Sequence, residues 1–441
     1  MTKIEPRNTQ TRVKHEILSR YLDTWGGIIV SGLRNARPRP RHFVYVDCFS
    51  FIGRYSGEKE DEIQQREVKD VFGSPVIGIN ALDKLLAHSQ KMGVDIRVSS
   101  VLVERDKKVF NGLKETLQLA GYGNRIEETN NFSKLKNGQI AIVNADATQI
   151  ADELLAYTNQ PDTWAFYLVD PYGPSGIPYE FVKKIVSKDK HDVMINFIYE
   201  DLLRKTGMCL KENPTSSEKL LVEYWTKAFG GDWWKDIARQ TLLAEEDNRY
   251  LREALGEYGE EIVVNPEQLV EVKEQKFVSA YRDVLHSMDK SLVTKLVNLR
   301  FGDKERTMFY LFLTTHDPSG ALELNKILYE AKYLEYELRY RLNVAKKNAP
   351  PANQMFLIPP EEIKVPEYER MPRPKSEEIE SHILSRFLGQ TLSRKDVYYE
   401  LAHTDYFPAE IDKALRHLRN NGKAEFDGSL SHRTIVKFAA E

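Results

Sequence analysis

The sequence feature that most limits the fold is a repeated unit, in which a short apolar run ends near a carboxylate and a helical stretch follows. The four units of this kind are His42–Val46 with Asp47, Val98–Val103 with Glu104, Ile140–Val143 with Asp146, and Ala165–Val169 with Asp170. Strands that alternate with helices predict a Rossmann-like α/β fold, with a parallel sheet covered on both faces. Open sheets of this class bind ligands at the carboxyl ends of their strands. The acidic residues are therefore candidate ligand-binding groups.

The rest of the chain indicates further structure on both sides of these units. Residues 11–32 predict an amphipathic helix that Gly26-Gly27 brings to its end. Two apolar runs at 292–301 and 307–315 predict a β-hairpin that closes the sheet. The predicted domains are an N-terminal helix and basic loop (1–42), an α/β domain (43–345) with a helical insertion at about 201–285, a proline-rich linker (346–375), and a winged-helix-like domain (376–441) with three helices and a terminal hairpin.

Composition narrows the classes of function. The 441 residues include 63 Lys and Arg against 66 Asp and Glu, a formal charge of −3, which excludes a chain that is basic throughout. The two cysteines, Cys48 and Cys209, exclude a disulfide scaffold or a cysteine-rich metal site. No apolar run approaches the about 20 residues needed to cross a bilayer, and the first residues lack a signal-peptide core. We therefore predict a cytoplasmic protein with no membrane partner and no metal.

The first loop and two strand ends predict a nucleoside site. The loop from Asp47 to Tyr55 follows a strand directly, and it contains Phe49 and Gly53, of which the glycine allows the backbone to approach a ligand. Glu104 can accept hydrogen bonds from ribose hydroxyls, because a carboxylate is an acceptor only. Asp146 can accept from an adenine amine. Each residue alone also fits an ordinary turn or a helix cap, and it is their occurrence at successive strand ends that favours a site.

The segment after the fourth strand has the most specific pattern. Asp170-Pro171-Tyr172 continues into a turn rich in proline and glycine. Asp170 and a carbonyl of the turn can accept hydrogen bonds from an exocyclic amine, and Tyr172 offers a ring on which a base can stack. Such groups would orient an amine for an in-line displacement. A turn whose aspartate is satisfied locally is the structural alternative.

Together these motifs resemble a class I S-adenosylmethionine-dependent methyltransferase and, more narrowly, the three-Cys-motif partner protein (TcmP) family. The segments that carry the resemblance, within about residues 11–345, are Lys14-His15 to Trp25, Tyr45 to Tyr55, Gly73-Ser74-Pro75, Glu104-Arg105-Asp106, Asp170 to Pro178, and Ile195-Asn196-Phe197 with Asp201 and Arg204. The resemblance implies S-adenosylmethionine as the cofactor, and a partner protein with a three-cysteine motif that is encoded nearby. It implies cofactor binding by Asp47, Phe49, Gly53, Glu104 and Asp146, and catalysis by Asp170, Pro171 and Tyr172.

One departure from the family pattern leaves two functions open. The family's first loop resembles Asp-Gly-Phe-Ala-Gly-Pro-Gly-Arg-Tyr, whereas this chain has Cys48 and Phe51 at two of the glycine positions. A phenyl ring takes space where the backbone would approach the cofactor, and a residue tolerant of positive φ is lost. One expectation is a methyltransferase that acts on an amine of nucleic acid or of a nucleic-acid-associated partner. The other is a catalytically degenerate scaffold that binds nucleic acid or a protein through its winged-helix-like domain.

Two groups of basic residues are candidate nucleic-acid contacts. Arg37, Arg39 and Arg41 precede the first strand, and Lys413, Arg416 and Arg419 lie on the third helix of the terminal domain. Arginine matches the geometry of phosphate oxygens. A solvated loop and a helix that makes only protein contacts are the alternative interpretations.

Overall fold

The predicted strand and helix units form an α/β protein. The computed structural model describes residues 4–34, 39–59, 70–173, 178–205, 207, 211, 213–240, 266–347, 364–368, 372–431 and 433–440. Within these residues no helix is long and apolar enough to cross a membrane.

A mostly parallel sheet of eight strands forms the centre of the described residues. The strands of the large domain are β1 (Arg41–Asp47), β2 (Arg54–Tyr55), β3 (Val71–Phe72), β4 (Ile96–Val103), β5 (Ile126–Glu128), β6 (Ile140–Val143), β7 (Thr163–Val169), β8 (His191–Phe197), β9 (Val293–Arg300) and β10 (Thr307–Thr315). The sheet order is β5-β6-β4-β1-β7-β8-β10-β9, and β2 pairs with β3 in a separate small hairpin. β10 is antiparallel to both β8 and β9, which confirms the predicted β-hairpin.

Helices cover both faces of this sheet. They are α1 (Thr9–Leu33), α2 (Ser74–Met92), α3 (Lys107–Leu119), α4 (Ala151–Thr158), α5 (Tyr179–Val186), α6 (Tyr199–Lys205), α7 (Ser216–Phe229), α8 (Pro266–Met288) and α9 (Pro318–Lys347), with a further helical stretch at 233–240. Because side chains alternate along a strand, Phe43 and Tyr45 of β1 join the core under α1, α2, α3 and α9. Val44 and Val46 join the opposite core, under α4, α5, α7 and α8.

Two expectations about the helices can be compared with the structure, namely the end of the first helix and the helical insertion. The predicted end of the first helix at Gly26-Gly27 is wrong, because α1 continues to Leu33. A Cβ atom at Gly26 would lie 2.7 Å from Cδ1 of Leu85, so this glycine allows α1 to pack closely against α2. In the predicted helical insertion, Trp225 and Trp234 are each 1% exposed and belong to the core. Residues 241–265 of the insertion lie outside the described residues.

The C-terminal unit has its own small core. Its elements are α10 (Ser376–Phe387), β11 (Thr391–Ser393), α11 (Arg394–Leu401), α12 (Pro408–Asn420), β12 (Ala424–Glu425) and β13 (Ile435–Phe438). The predicted three helices and hairpin are present, and β11, which was not predicted, adds a third strand in the order β11-β13-β12. Leu322 of α9 packs in the same core as Ile383, Leu415 and Phe438. Most of the predicted linker, 346–375, lies outside the described residues.

Contacts with α9 and β9 place this unit at one edge of the large sheet. Asn325 Nδ2 donates to the carbonyl oxygens of Thr404 and Tyr406, both at 2.8 Å. Lys295 Nζ donates to the same Thr404 carbonyl at 2.6 Å. Because β10 is antiparallel to β8 and α9 follows β10 directly, both Asn325 and Lys295 lie at the edge where the parallel strands begin. The C-terminal unit therefore packs at the amino edge of the sheet.

Candidate functional site at the carboxyl edge of the sheet

The acidic residues predicted from the sequence meet at the carboxyl edge of four neighbouring strands. Asp47 is the last residue of β1, Glu104 and Asp170 follow β4 and β7 directly, and Asp146 lies three residues beyond β6. The order β6-β4-β1-β7 makes these strands neighbours. The chain leaves β1 towards β4 on one side and leaves β7 towards β8 on the other side. Open α/β sheets bind ligands in the crevice that belongs to such a reversal, at the carboxyl ends of the strands.

The side chain of Asp47 holds the start of the first loop through hydrogen bonds. Its side chain is completely buried, Oδ1 accepts the Phe49 N–H at 3.2 Å, and Oδ2 accepts the Tyr45 hydroxyl at 3.3 Å. Desolvation by burial raises the pKa of Asp47 to about 7. The Ser50 N–H donates to the carbonyl of Val103 at 2.9 Å, which ties the loop to β4. The hydrogen bond that Phe49 donates to Asp47 and the one that Ser50 donates to Val103 thus hold the first loop against β1 and β4.

The first loop contains two residues with left-handed backbone. Phe51 has φ +49° and Gly53 has φ +74°. A Cβ at Gly53 would lie 3.0 Å from Cδ1 of Leu113, so space as well as conformation favours glycine there. Phe51 adopts this conformation at a cost of about 1–2 kcal/mol, since it is not a glycine. Its ring is half-exposed, and its N–H donates to Oε2 of Glu104 at 3.1 Å.

Glu104 and Asp146 form an acceptor pair beside this loop. Glu104 also accepts the Asp106 N–H through Oε1 at 2.8 Å, and burial raises the pKa of its carboxyl group. Asp146 Oδ1 accepts from the Thr148 N–H at 2.9 Å and from the Thr148 hydroxyl at 2.7 Å. Its Oδ2 faces the Arg105 guanidinium at 3.8 Å. Because each carboxylate oxygen has two lone pairs, both residues keep acceptor capacity for hydroxyl or amine groups of a ligand.

Asp170 is held from two sides by residues that sequence analysis assigned no role. Its Oδ2 forms an ion pair with Lys14 Nζ of α1, and its Oδ1 accepts from Asn196 Nδ2 of β8 at 2.6 Å. Lys14 and Asn196 belong to segments of the family resemblance, but only the tertiary structure brings α1 and β8 to β7. Pro171 is buried and Tyr172 is fully exposed. The tyrosine ring is thus free to meet a ligand at the surface of the crevice.

The predicted basic residues lie away from this crevice. Arg41 begins β1 and therefore lies about 20 Å along the strand from Asp47. Arg39 forms an ion pair with Asp162 at 2.8 Å at the same amino edge. Arg37 lies outside the described residues. The structure therefore places Arg39 and Arg41, the described members of this group, at the opposite edge of the sheet from the acidic crevice.

The basic residues of α12 are exposed on the C-terminal unit. Lys413, Arg416 and Arg419 all face solvent. Arg419 donates to the carbonyl of Gly428 at 3.3 Å, and its guanidinium carbon lies 4.5 Å from the centroid of the Phe426 ring. Since the unit packs at the amino edge, this surface is separate from the crevice.

Comparisons with known proteins do not show what the site binds. No family model and no curated protein matches the chain. Among solved structures, a Legionella pneumophila protein assigned to the family model DUF519 is 13% identical, with 73% of this chain and 90% of that chain covered and a TM-score of 0.35. A likeness of this size carries no argument. The fold and the site define an α/β protein with a cluster of carboxylates at the carboxyl edge of a mostly parallel sheet.

Proposed function

We propose that the chain is a TcmP-like, S-adenosylmethionine-dependent methyltransferase that acts on an amine of nucleic acid or of a nucleic-acid-associated protein. The observation that carries the proposal is the convergence of Asp47, Glu104, Asp146 and Asp170 at the reversal point of the sheet. Ligands of open α/β sheets bind at that point. A sheet that reverses beside β1 and includes one antiparallel strand also agrees with the class I methyltransferase resemblance.

The acceptors in the crevice suit the adenosyl group of this cofactor. Ribose hydroxyls and an adenine amine are donors, and Glu104 and Asp146 retain lone pairs that can accept from them. When bound, the cofactor would supply an electrophilic methyl group. Cys48 and Phe51 depart from the family's first loop; Cys48 is buried in the core, and the ring of Phe51 is half-exposed rather than packed in it. The residues present therefore fit the group.

Asp170 would orient the amine that accepts the methyl group. Its carboxylate is fixed by Lys14 and Asn196, so it has little freedom to turn away from a bound substrate. A carboxylate that accepts an N–H directs the nitrogen lone pair and stabilises the positive charge that develops on nitrogen. Tyr172, next to it in the chain and fully exposed, offers a ring on which a base can stack.

Isothermal titration of the full chain with S-adenosylmethionine tests the proposal. We expect saturable binding that Glu104→Gln weakens by about tenfold, because one charge-assisted hydrogen bond is lost. Glu128→Gln is the matched control, since Glu128 ends the edge strand β5 and pairs with Lys114. Absence of binding at millimolar cofactor, or equal effects of the two variants, would refute the assignment.

A second candidate function is a scaffold that binds nucleic acid through the C-terminal unit. Three exposed basic residues on α12 favour it, whether or not the unit is a true winged helix. In the full chain, replacement of Lys413 and Arg416 by serine should weaken binding to any sequence and reduce its salt dependence. Unchanged affinity and salt dependence would exclude this surface. Co-purification with a three-Cys-motif protein encoded nearby would test the proposed protein partner.

A further inference from the structure

A buried acceptor without a partner lies beside Asp170. Asn196 of β8 is 5% exposed, and its Nδ2 donates to Asp170 Oδ1 at 2.6 Å. The opposite orientation of the amide would set two acceptors against each other, so the hydrogen bond fixes which atom is oxygen. Asn196 Oδ1 is shielded from solvent and meets no hydrogen-bond donor among the residues that the structure describes.

An orphaned acceptor in this place points to a donor that arrives with a ligand. Buried polar atoms without partners are rare in native proteins, and each calls for an explanation such as a ligand or a bound water. Because the oxygen and nitrogen of one amide are bonded to the same carbon, Asn196 Oδ1 lies within about 5 Å of Asp170 Oδ1. The two acceptors belong to neighbouring strands at the carboxyl edge.

The other acceptors of this corner are already engaged. Asp170 Oδ2 is paired with Lys14, and Asp170 Oδ1 accepts from Asn196 itself. Each of these oxygens keeps one lone pair for a further donor. Asn196 Oδ1 has both of its lone pairs available. A ligand group with two N–H bonds can therefore be shared between the carboxylate and the amide oxygen.

We propose that Asn196 Oδ1 is the second acceptor for the substrate amine, and that the site selects a primary amine on a planar ring. This inference rests on the proposed function and names the substrate class of its site. One N–H donates to Asp170 and the other to Asn196, while the ring stacks on Tyr172. A ring without the exocyclic amine leaves both acceptors unpaired, which is the strongest form of discrimination against an analogue.

Equilibrium binding of the full chain to short single-stranded DNA tests this selection. The probes are strands with one central adenine, and the same strands with purine in its place, which lacks the exocyclic amine. A second pair compares cytosine with pyrimidin-2-one. We expect the amine-bearing strand of at least one pair to bind about thirtyfold more tightly, the value of two hydrogen bonds. Equal affinity within both pairs, or no binding at all, would overturn the inference.

Two substitutions test whether position 196 must supply an acceptor. Asn196→Asp keeps an acceptor, and because two carboxyl groups this close share a proton it also keeps a donor to Asp170, whereas Asn196→Leu loses both. We expect the first variant to retain most of the preference for the amine and the second to abolish it. Equal loss in both variants would contradict the role of Asn196 Oδ1 as an acceptor. Asn298→Leu, on β9 and away from the crevice, is the matched control.

Calorimetry on the same samples separates this inference from the proposed function. If the chain prefers the amine but gives no heat with S-adenosylmethionine, the amine site stands and the methyltransferase assignment is refuted. If the chain binds the cofactor but shows no preference for the amine, the methyltransferase assignment stands and the proposed role of Asn196 is refuted.

Discussion

Replacement of Asp47 by asparagine should make the fold more stable at neutral and alkaline pH. Asp47 is completely buried, and burial raises the pKa of its carboxyl group from 3.8 to about 7. The unfolded chain releases this proton near pH 4, whereas the folded chain keeps it until about pH 7. Between these values the folded state binds more protons, so its stability falls as the pH rises.

The size of the effect follows from the shift. A change of about 3 pKa units corresponds to about 4 kcal/mol, which is lost progressively between pH 4 and pH 7. An asparagine at this position cannot ionise and still accepts the Phe49 N–H, so the variant avoids this loss. We expect the variant to gain about 3 kcal/mol relative to the natural chain between pH 5 and pH 8, because most of the titration lies in that interval.

Urea unfolding of both proteins across this pH range measures the difference. Asp192 provides a matched comparison, because it is also buried, burial raises its pKa to about 7, and it accepts the Tyr21 hydroxyl at 2.6 Å. Asp192→Asn should show the same dependence on pH, and the two effects should add, since the residues lie at opposite ends of their strands. A stability difference that is constant from pH 5 to pH 8 would refute the reasoning for Asp47.

Three further predictions test the site and the fold. Affinity for cationic S-adenosylmethionine should rise between pH 6 and pH 8 as Asp47 ionises, and calorimetry should find no such rise in Asp47→Asn. At position 51, Phe51→Gly should be about 1 kcal/mol more stable than Phe51→Ala in urea unfolding, because φ is +49°; the reverse order would argue against left-handed backbone there. Leu322→Ala should lower the free energy of unfolding by about 2–5 kcal/mol, whereas Leu220→Ala on the exposed surface should have little effect.

The strand ends could be predicted from the sequence because their evidence is local. Each apolar run identifies a strand by its own composition, and the carboxylate after it lies at the carboxyl edge in any parallel arrangement. The sequence therefore predicts that Asp47, Glu104 and Asp170 lie at the same edge of the sheet, even before the strand order is known. The contact of Lys14 with Asp170 joins residues 156 positions apart. No local pattern indicates such a pair, because it depends on where α1 crosses the sheet.

Two positions show that local sequence rules for glycine can fail: a glycine pair that does not end a helix, and a phenylalanine where glycine would be expected. Gly26-Gly27 is typical of a helix end, yet α1 continues because Gly26 lies against Leu85 of α2. At the first loop the opposite occurs, since Phe51 takes a left-handed conformation that glycine would adopt more easily. At Gly26 the packing of α1 on α2 outweighs the preference of the residue, and at Phe51 the backbone N–H donates to Glu104 Oε2 at 3.1 Å.

One helix, α9, links the C-terminal unit to the far rim of the large sheet. This helix has 30 residues and is therefore about 45 Å long. Its first turns hold the C-terminal unit, and Arg339 near its other end donates to the carbonyl of Phe301 at the opposite rim of the sheet. The two contacts lie 14 residues apart, which is about 21 Å along the helix. One continuous helix thus contacts both the C-terminal unit and the carboxyl rim of the sheet.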